Sequence, residues 1–513
     1  MRMLITALLL AALTGAARAD DPTLAEMEAQ ASKLYRQDIA TLPSIGQAAV
    51  LYVSPDGKPD NAGTMEAPLD LATALSKESP AKLPGTLVWL MGGTYRGPFE
   101  KAATPCGAPG KPIVFRAMPG QRVTLTAGVE SGTVLTVRGD HVWFWGMELT
   151  TDQDVPKVRG DTVKVSGGNG LKLINLVIHE TPNRSGIGGW QVGNDQEFYG
   201  CVVYRVGFKS NTYAHGTYTQ NTKTFTVKRI TDCLFFDTYG FGVHCYGQDP
   251  VLGNYQFDGV GAWGNGLPPG SEKPAVNFLV GGYKDQDNMV LRNCFTYYPA
   301  EGKLKRGADV GYVAKDNGEM RIDDCTFVGG IPALHVVNWR NPTFRRNRIA
   351  SPHGLIHLVK GADAPTDAYL WDDNEYYSMG VEKPFSTNTD GLKWRADATS
   401  RPLSAEEWKA AYKIDAQSRF LDKPEGLWVI CRPNRYEPDR ATVAVYNWTG
   451  KAVVGLDLSD LLTPGQTFRL LRPDDLWGEP VTAGKYDGKP VDVAMTGAWA
   501  PQFACFVLVR DMR

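Results

Sequence analysis

Side chains able to transfer protons gather in one part of the chain. His244 and Tyr246 follow Tyr218 and Gln220 at the same interval of 26 residues (218 to 244 and 220 to 246). If these segments are neighbouring strands in register, residues two apart point to the same side, so the four side chains share one face. Nearby polar segments add His215, Lys284 and Asp309. The predicted catalytic residues are His215, Tyr218, His244, Tyr246, Lys284 and Asp309.

A second set of polar and aromatic side chains along the same stretch is suited to holding a substrate. Amide and guanidinium groups hydrogen-bond to hydroxyl and carboxylate oxygens, and an indole ring offers an apolar face with a polar edge. Each residue alone is more simply explained as part of a solvated strand face, but their convergence over adjacent segments indicates a site. The predicted substrate-binding residues are Trp190, Gln220, Asn221, Arg306, Asn338 and Arg340.

Two reactions use side chains of these types. β-Elimination at a uronate needs a base for the C5 proton, a proton donor for the leaving oxygen and a group that neutralises the carboxylate. Glycoside hydrolysis needs two carboxylates about 5 to 9.5 Å apart. The histidines, tyrosines and Lys284 or Arg306 fit the first reaction, so the residue types favour elimination. For the second, no pair stands out by spacing among Asp237, Asp258, Asp285, Asp287 and Asp309.

A repeat reveals the elements that must position these residues. A turn former followed by Cys, Asn or an apolar residue opens a short strand in seven places, as in Asp232-Cys233 and Asn293-Cys294, and Arg346-Asn347 is an eighth, weaker copy. The second residues of the copies, at 176, 201, 233, 260, 294, 325, 347 and 374, are 22 to 34 positions apart. Short strands recurring at this interval without helices predict a β-solenoid, whose coils stack to bury a shared apolar face.

Stacking also predicts the state of the cysteines. Four of the eight occupy the repeat position, where they would form an inward column with Cys packing as a small hydrophobe. Free thiols are therefore favoured over disulfides, and a metal site built from cysteines is disfavoured. No cofactor is predicted. Calcium at Asp285-Gln286-Asp287 is the alternative considered, although two acids in a glycine-rich turn are more simply solvated.

The N-terminal part of the solenoid resembles a known family. Leu51-Tyr52-Val53-Ser54-Pro55-Asp56-Gly57, Gly92-Gly93-Thr94-Tyr95 and Lys111-Pro112-Ile113-Val114-Phe115-Arg116 are similar to the entry of secreted right-handed parallel β-helix proteins of the pectate-lyase-like superfamily. The resemblance covers residues 48–378 and implies a short capping helix within residues 66–80 and coils from Val88 onward. The superfamily includes lyases, hydrolases, C5-epimerases and inert proteins, so the resemblance indicates the fold rather than one reaction.

The pattern changes after Tyr377. Residues 379–425 form an irregular connecting segment, and residues 426–513 hold strand-like runs with turns at Pro464-Gly465 and Asp487-Gly488. We expect a β-sandwich here that caps the open end of the solenoid, where strand edges would otherwise be exposed, and we favour this role over independent sugar binding. The predicted fold class is all-β, a right-handed parallel β-helix (solenoid) over 48–378 with a C-terminal antiparallel β-sandwich, preceded by an N-terminal segment at 20–47.

The net charge and the first residues of the chain limit which partner the protein can bind and where it can be located. Lys and Arg total 54 against 56 Asp and Glu, with no basic stretch, which argues against nucleic acid as a partner. A positive start, an apolar run at 4–13 and Ala17-Arg18-Ala19 predict a signal peptide, residues 1–19, cleaved near Ala19. The run is shorter than the ~20 residues that a membrane span needs. We expect a secreted or periplasmic monomer whose partner is a polysaccharide.

Two classes of function follow. The favoured one is an exported carbohydrate-active enzyme that cleaves a polysaccharide by β-elimination at a uronate, with glycoside hydrolysis by an Asp pair and C5-epimerisation as alternatives. The other is a non-catalytic polysaccharide-binding protein on the same scaffold. The predicted site fails in either class if His215 and His244 lie on opposite faces.

Overall fold

The computed structural model describes residues 22–99, 105–127, 132–151, 160–207, 214–271, 275–301, 305–313, 316–360, 368–388 and 400–511. In this part of the chain, three long sheets take one strand each from successive coils, and consecutive coils pair in parallel. The predicted all-β fold with a parallel β-helix is therefore confirmed. The expected signal peptide, residues 1–19, lies outside the described residues and stays a prediction.

The elements below are those of the described residues. Sheet A contains Ala49–Val53, Thr86–Leu90, Ile113–Ala117, Val142–Trp145, Lys172–Ile174, Glu197–Tyr199, Lys228–Thr231, Gly253–Asp258, Asp287–Arg292, Asn317–Asp323, Trp339–Arg345 and Leu370–Asp372. Sheet B contains Gly93–Gly97, Val123–Ala127, Glu148–Thr151, Val177–His179, Val202–Tyr204, Leu234–Phe236, Gly261–Trp263, Phe295–Tyr297, Thr326–Val328, Arg348–Ala350, Glu375–Tyr377 and Arg419–Leu421. Sheet C contains Leu135–Val137, Asp161–Val165, Ser185–Gly189, His215–Thr219, Val243–Gly247, Phe278–Gly282, Ala308–Val310, Leu334–Val337, Ile356–Val359, Phe385–Asn388 and the antiparallel Ser400–Leu403. The helices are α1 (Leu24–Thr41), α2 (Leu71–Leu75) and α3 (Ala405–Tyr412), with 3-10 turns at Leu42–Ser44 and Pro80–Lys82.

The repeat seen in the sequence is the turn from sheet A to sheet B. In all eight copies the residue before the repeat position has a φ between 50° and 67°, as in Asp232 (50°) and Gly259 (67°). This left-handed conformation suits Gly, Asn and Asp, which explains the turn former at this place. The following residue points into the core, and there Cys201, Cys233, Cys294 and Cys325 are buried free thiols.

Both ends of the solenoid are covered by short helical segments. The parallel sheets continue past residue 378, because Phe385–Asn388 joins sheet C and Arg419–Leu421 joins sheet B. Trp408 of α3 stacks on Phe385 over this last coil, with ring centroids 4.7 Å apart. At the other end, α2 packs its buried residues against the first coils, inside the range that the resemblance assigned to a capping helix.

The C-terminal unit is an antiparallel β-sandwich. Its five-stranded sheet has the spatial order Leu427–Pro433, Arg440–Asn447, Phe503–Arg510, Thr467–Leu471, Thr482–Lys485, and the second sheet pairs Val453–Leu456 with Val491–Ala494. Val443, Leu470 and Phe506 of the first sheet share one core with Leu456 and Val493 of the second.

This sandwich lies along the outside of sheet B, so the prediction that it caps the open end of the solenoid is wrong. The outward side chains of sheet B that it covers are apolar, and Arg432 anchors it by pairing with Asp232 (2.7 Å) and Asp258 (2.9 Å). An apolar outer face needs a cover. The residues packed together at this interface include Phe236, Trp263, Phe295 and Tyr297 of sheet B and Trp428, Tyr446 and Phe503 of the sandwich.

Helix α1 lies across sheet A and binds it at two places. Near its end, Asp38 pairs with Lys172 (2.7 Å) and Arg229 (2.8 Å). Ten residues earlier, Glu28 pairs with Arg321 (2.6 Å) and with Arg292. The helix thus joins coils that are far apart in the sequence. Among the described residues, no helix combines the length and the apolar character needed to cross a membrane.

A buried charge network lies beneath the end of α1. Glu197 is fully buried between Lys172 (2.9 Å) and Arg229 (3.4 Å), and the Tyr436 hydroxyl donates a hydrogen bond to its carboxylate at 2.7 Å. Tyr436 belongs to the C-terminal unit, so the network ties that unit and sheet A together around one carboxylate. The two cations lower the pKa of Glu197 to about 2, although burial alone would raise it.

Replacing Tyr446 with Phe should lower the free energy of unfolding by about 1 kcal/mol. Its buried hydroxyl donates to the Thr296 carbonyl of sheet B at 2.9 Å, a bond that the sandwich makes with the solenoid. Chemical denaturation measures the change. Tyr486→Phe is the matched control, because the buried Tyr486 hydroxyl has no hydrogen-bond partner among the described residues. Equal stability of the two variants would contradict the prediction.

Candidate functional site

The outward face of sheet C carries one ladder of side chains, spaced about 4.8 Å from strand to strand. The predicted alignment of Tyr218 with His244 is confirmed by the strand pairing. The neighbours of His244 in its own strand, Val243 and Cys245, point inward and are fully buried. In register, the ladder consists of Lys164, Gly188, Tyr218, His244, Leu279, Asp309, His335, His357 and Ser386.

Histidine and tyrosine rings meet at the middle of this ladder. The ring centroids of His215 and His244 are 4.2 Å apart, so the two histidines lie on the same face. Tyr218 and Tyr246 stack on His244 at 4.9 and 5.0 Å. Gln220 donates from Nε2 to the Tyr246 carbonyl at 3.0 Å, and its Nε2 lies 3.4 Å from the Tyr218 hydroxyl. The structure thus brings five of the predicted residues together.

Burial keeps both imidazoles neutral. It lowers the pKa of His244 to about 3, with the nearby Arg184 charge acting in the same direction. The pKa of His215 is also far below its ordinary value, first because of burial and then because of His244 and Arg184. His215 Nδ1 accepts the Phe241 N–H at 3.3 Å, whereas His244 is half-buried and its Nδ1 has no hydrogen-bond partner among the described atoms. Because this Nδ1 is buried, the half-buried ring can act as a base only through Nε2.

Arg184 and Asp161 complete this part of the face, and neither was predicted. The Arg184 guanidinium lies 4.9 Å from the Tyr218 ring and 5.4 Å from the Trp190 ring, and Trp190 Nε1 donates to Asp161 at 3.0 Å. A cavity of about 390 Å³ is lined by Arg184, Asp161, Trp190 and Lys164 among others. The sequence feature that could have indicated this part of the site is the glycine run in Ser185–Gly189. Gly188 leaves room for the Asp161 carboxylate, since a Cβ there would lie 2.1 Å from an Asp161 oxygen.

Three tyrosines extend the site toward the next coils. Tyr246, Tyr283 and Tyr312 contact one another edge to face, with centroids 5.8 to 6.1 Å apart. Tyr283 is 53% exposed, so its ring is open to solvent beside Tyr246. Such rings can stack on a sugar.

A second polar group follows on the same ladder, two strands and about 10 Å from His244. Arg306 donates to Asp309 at 2.6 Å, and His335 Nδ1 lies 3.4 Å from the other Asp309 oxygen. Burial alone would raise the pKa of Asp309, but Arg306 and His335 hold it below its ordinary value. The predicted residues Arg306 and Asp309 thus form an ion pair beside the histidine and tyrosine rings rather than among them.

Four predicted residues lie elsewhere. Lys284 is exposed in the turn after Phe278–Gly282, and no described contact joins its side chain to the histidines. Asn221 is buried, and its amide donates to the backbone carbonyls of three other residues, so it holds the coil together. Asn338 is buried in a left-handed turn, and Arg340 pairs with exposed Asp316. Lys284, Asn221, Asn338 and Arg340 therefore do not belong to the site as predicted.

The carboxylates considered for hydrolysis or for calcium are also separated. Asp258 pairs with Arg432, and Asp237 accepts from Trp499 Nε1 at 3.2 Å, both against the sandwich. Asp287 pairs with Lys223 at 2.5 Å, and Asp285 accepts the N–H of Asp316. Among the described residues, no group of three His, Cys, Asp or Glu side chains is arranged to hold a metal ion. On sheet C itself, Asp161 and Asp309 are five strands apart, roughly 24 Å.

Comparison with known proteins gives one sequence match and several distant structural ones. No protein-family model matches the chain. The pectate lyase PEL9 of Emericella nidulans is 37% identical over 86 residues, which are 17% of this chain and 20% of that lyase, so the match spans about one fifth of the relative. Pectate lyase Pel9A aligns with 69% of this chain and 81% of its own at 17% identity and a TM-score of 0.38. The GH136 lacto-N-biosidase from Eubacterium ramulus aligns over 74% and 68% at 12% identity and a TM-score of 0.44. With the three parallel sheets, the sequence match confirms the resemblance to pectate-lyase-like β-helix proteins.

Proposed function

We propose that the protein is a carbohydrate-active enzyme that cleaves a uronate-containing polysaccharide by β-elimination. The observation that carries the proposal is the contact between neutral His244, two tyrosines and the nearby Arg184 on one open face of sheet C. The sequence match to a pectate lyase supports the same class of enzyme.

Each chemical role has a suitable side chain. Neutral His244 takes the C5 proton, and the C–H electrons form the new double bond between C4 and C5 while the C4–O bond breaks. Tyr246 gives its proton to the leaving oxygen; burial raises the pKa of this hydroxyl, so it is protonated at neutral pH. His244 then returns its proton to Tyr246, directly or through water. His215 acts as a positioning residue that packs against the His244 ring.

The substrate carboxylate belongs near Arg184. Removing the C5 proton puts negative charge on the uronate carboxylate, and a guanidinium binds a carboxylate in a fixed bidentate geometry. Arg184 and Lys164 give the adjacent cavity two cations against the single carboxylate of Asp161. A polymer lying along the ladder, across the strands, would place one sugar at His244 and its neighbours at the tyrosines and at Asp309.

Product analysis tests the proposal. The protein is incubated with polymers of galacturonate, glucuronate and the alginate uronates, and ultraviolet absorbance of the unsaturated product is followed together with new reducing ends. Both signals rising together are expected. Reducing ends without the absorbance would indicate hydrolysis, inversion at C5 without cleavage would indicate an epimerase, and no product from any polymer would indicate a binding protein. Each of these three results overturns the proposal.

Replacing Arg184 with Gln should lower kcat/KM on a free uronan by about 10²-fold, since one charge-stabilising donor is lost. The loss should be smaller on a methyl-esterified uronan, which carries no charge for Arg184 to neutralise. Steady-state kinetics on both polymers measure the difference. Arg348→Gln, which removes an exposed guanidinium on sheet B, is the control. Equal losses on the two polymers would contradict the assigned role.

A further inference from the structure

We propose that the cleft between sheet B and the C-terminal sandwich is a second glycan-binding site, which holds neutral sugar residues through their vicinal hydroxyl groups. The site is formed by residues of a different sheet from the elimination site, so it does not depend on the proposed reaction. Its groups are fixed in place; the residues that line it belong to sheet B and its turns, and Trp477 of the sandwich lies beside Arg122 at its edge.

The cleft lies where the outer face of sheet B changes from polar to apolar side chains. In the first coils the outward positions are polar, as in the aligned Thr94, Thr124 and Glu148. From the next coils on, the outward positions are apolar and the sandwich covers them. A cavity of about 540 Å³ opens at this boundary, with Arg122 and His179 in its wall. Its volume is in the range of ligand pockets.

The polar groups of the cavity are held in place by one another. Arg122 binds both oxygens of the buried Glu148 carboxylate at 2.6 and 2.8 Å, and Thr124 donates to the same carboxylate. His179 lies between Glu148 (2.8 Å) and Glu180 (3.3 Å). Groups whose orientation is already fixed lose little entropy when a ligand binds.

Hydrogen-bonding capacity remains for a ligand. The Arg122 and Glu180 side chains are 54% and 39% exposed. The remaining N–H groups of Arg122 can donate to a ligand hydroxyl, and Glu180 can accept from one.

The sandwich brings an aromatic ring to this place. Asp474 is fixed by Arg205 (2.8 Å) and by the Tyr204 hydroxyl, which donates to its carbonyl at 3.1 Å. Three residues later, Trp477 is 42% exposed, and its ring lies 4.6 Å from the Arg122 guanidinium. An exposed indole beside fixed hydrogen-bonding groups suits a sugar, which has an apolar C–H face and hydroxyls at its edge.

The charges of the cleft favour a neutral sugar over a uronate. Two carboxylates, Glu148 and Glu180, line the cavity, and the guanidinium of Arg122 is already bound to Glu148. Glu180 also pairs with Arg205 (3.2 Å), which is held in turn by Asp474. A uronate carboxylate would meet Glu180 without a free cation to pair with, whereas sugar hydroxyls can donate to it. The cavity on sheet C has the opposite balance, with Arg184 and Lys164 against Asp161. The two sites should therefore prefer different sugars.

Calorimetric titration of the full chain carrying His244→Ala, which is expected to slow turnover, tests the proposal with neutral pentose, neutral hexose and uronate oligosaccharides. At least one neutral class should bind, Trp477→Ala should weaken that binding about tenfold, and Glu180→Gln should also weaken it. Val453→Ala, which trims an exposed apolar residue of the same sandwich, should leave it unchanged.

Three outcomes would overturn the proposal: no neutral oligosaccharide binds, binding is insensitive to Trp477→Ala and Glu180→Gln, or Arg184→Gln alone abolishes it. Thermal unfolding of each variant checks that the fold is kept, which is expected because Trp477 and Glu180 are solvent-accessible. If the unmodified protein cleaves no uronan, the elimination proposal fails while this test still gives its own answer.

Discussion

Uronan cleavage by the His244→Ala variant should be about 10³-fold slower than by the unmodified protein, because the variant lacks the base that takes the C5 proton. The ring is half-buried on the open face of sheet C, so its removal trims the surface rather than the core. Initial rates of double-bond formation measure the effect. His353→Ala is the matched control, since that ring contacts the Ala300 carbonyl away from the ladder. A loss below tenfold, or an equal loss in the control, would contradict the assignment.

The pH dependence gives an independent check on the same residue. Because burial and Arg184 lower the pKa of His244 to about 3, the imidazole is unprotonated, and therefore able to accept a proton, at every pH above that value. The rate should hold steady as the pH falls from 7 to 5, where a histidine with the ordinary pKa of about 6.5 would become protonated. A fall in kcat/KM with a midpoint near 6.5 would show that another base acts.

Glu197→Gln should lower the free energy of unfolding by about 3 to 5 kcal/mol, the range for breaking a buried ion pair by removing one partner. The substitution keeps the size of the side chain but leaves Lys172 and Arg229 with Asp38 as their remaining carboxylate. Denaturant unfolding measures the change. Glu78→Ala is the control, because its pair with Lys82 is largely exposed and should contribute less than about 1 kcal/mol.

The dependence of stability on acidic pH should depend on the same Glu197 carboxylate. The folded-state pKa of Glu197 is lowered to about 2, below its ordinary value of 4.5, so its contribution to stability is complete above pH 4.5. It is lost as the pH falls toward 2, because over this range the unfolded state binds a proton that the folded state does not hold. Unmodified protein should lose more stability between pH 4.5 and 2 than Glu197→Gln. Parallel curves would contradict this.

The coil pattern was predictable because local chemistry dictates it. Each turn from sheet A to sheet B needs a left-handed residue, so Gly, Asn and Asp recur there and mark the repeat. The interval of 26 residues also predicted the pairing of Tyr218 with His244, because no insertion separates those two positions within their coils. Where the turns between strands vary in length, the residue interval did not predict which side chains lie together. Lys284 lies beyond the end of its strand, and Arg184 and Asp161 come from coils whose intervals differ.

The position of the sandwich could not be predicted for a different reason. Outward residues of sheet B such as Trp263 and Phe295 are as apolar as the inward ones, and a strand covered on both faces gives a continuous apolar run. Such a run shows that something covers the strand, but it does not identify what. The charge network at Glu197 was likewise hidden, since its members come from α1, three strands of sheet A and the C-terminal unit.

The strap formed by α1 sets an order of events during folding. The helix is synthesised before every coil, yet Glu28 binds Arg321, which follows it by 293 positions. Early coils can stack on one another as they emerge, because each contacts only its neighbours. The helix cannot complete its docking until the coil of Arg321 has formed, and contacts between such distant positions form slowly. Although α1 is made before every coil, it should therefore be among the last elements to become protected from hydrogen exchange during folding.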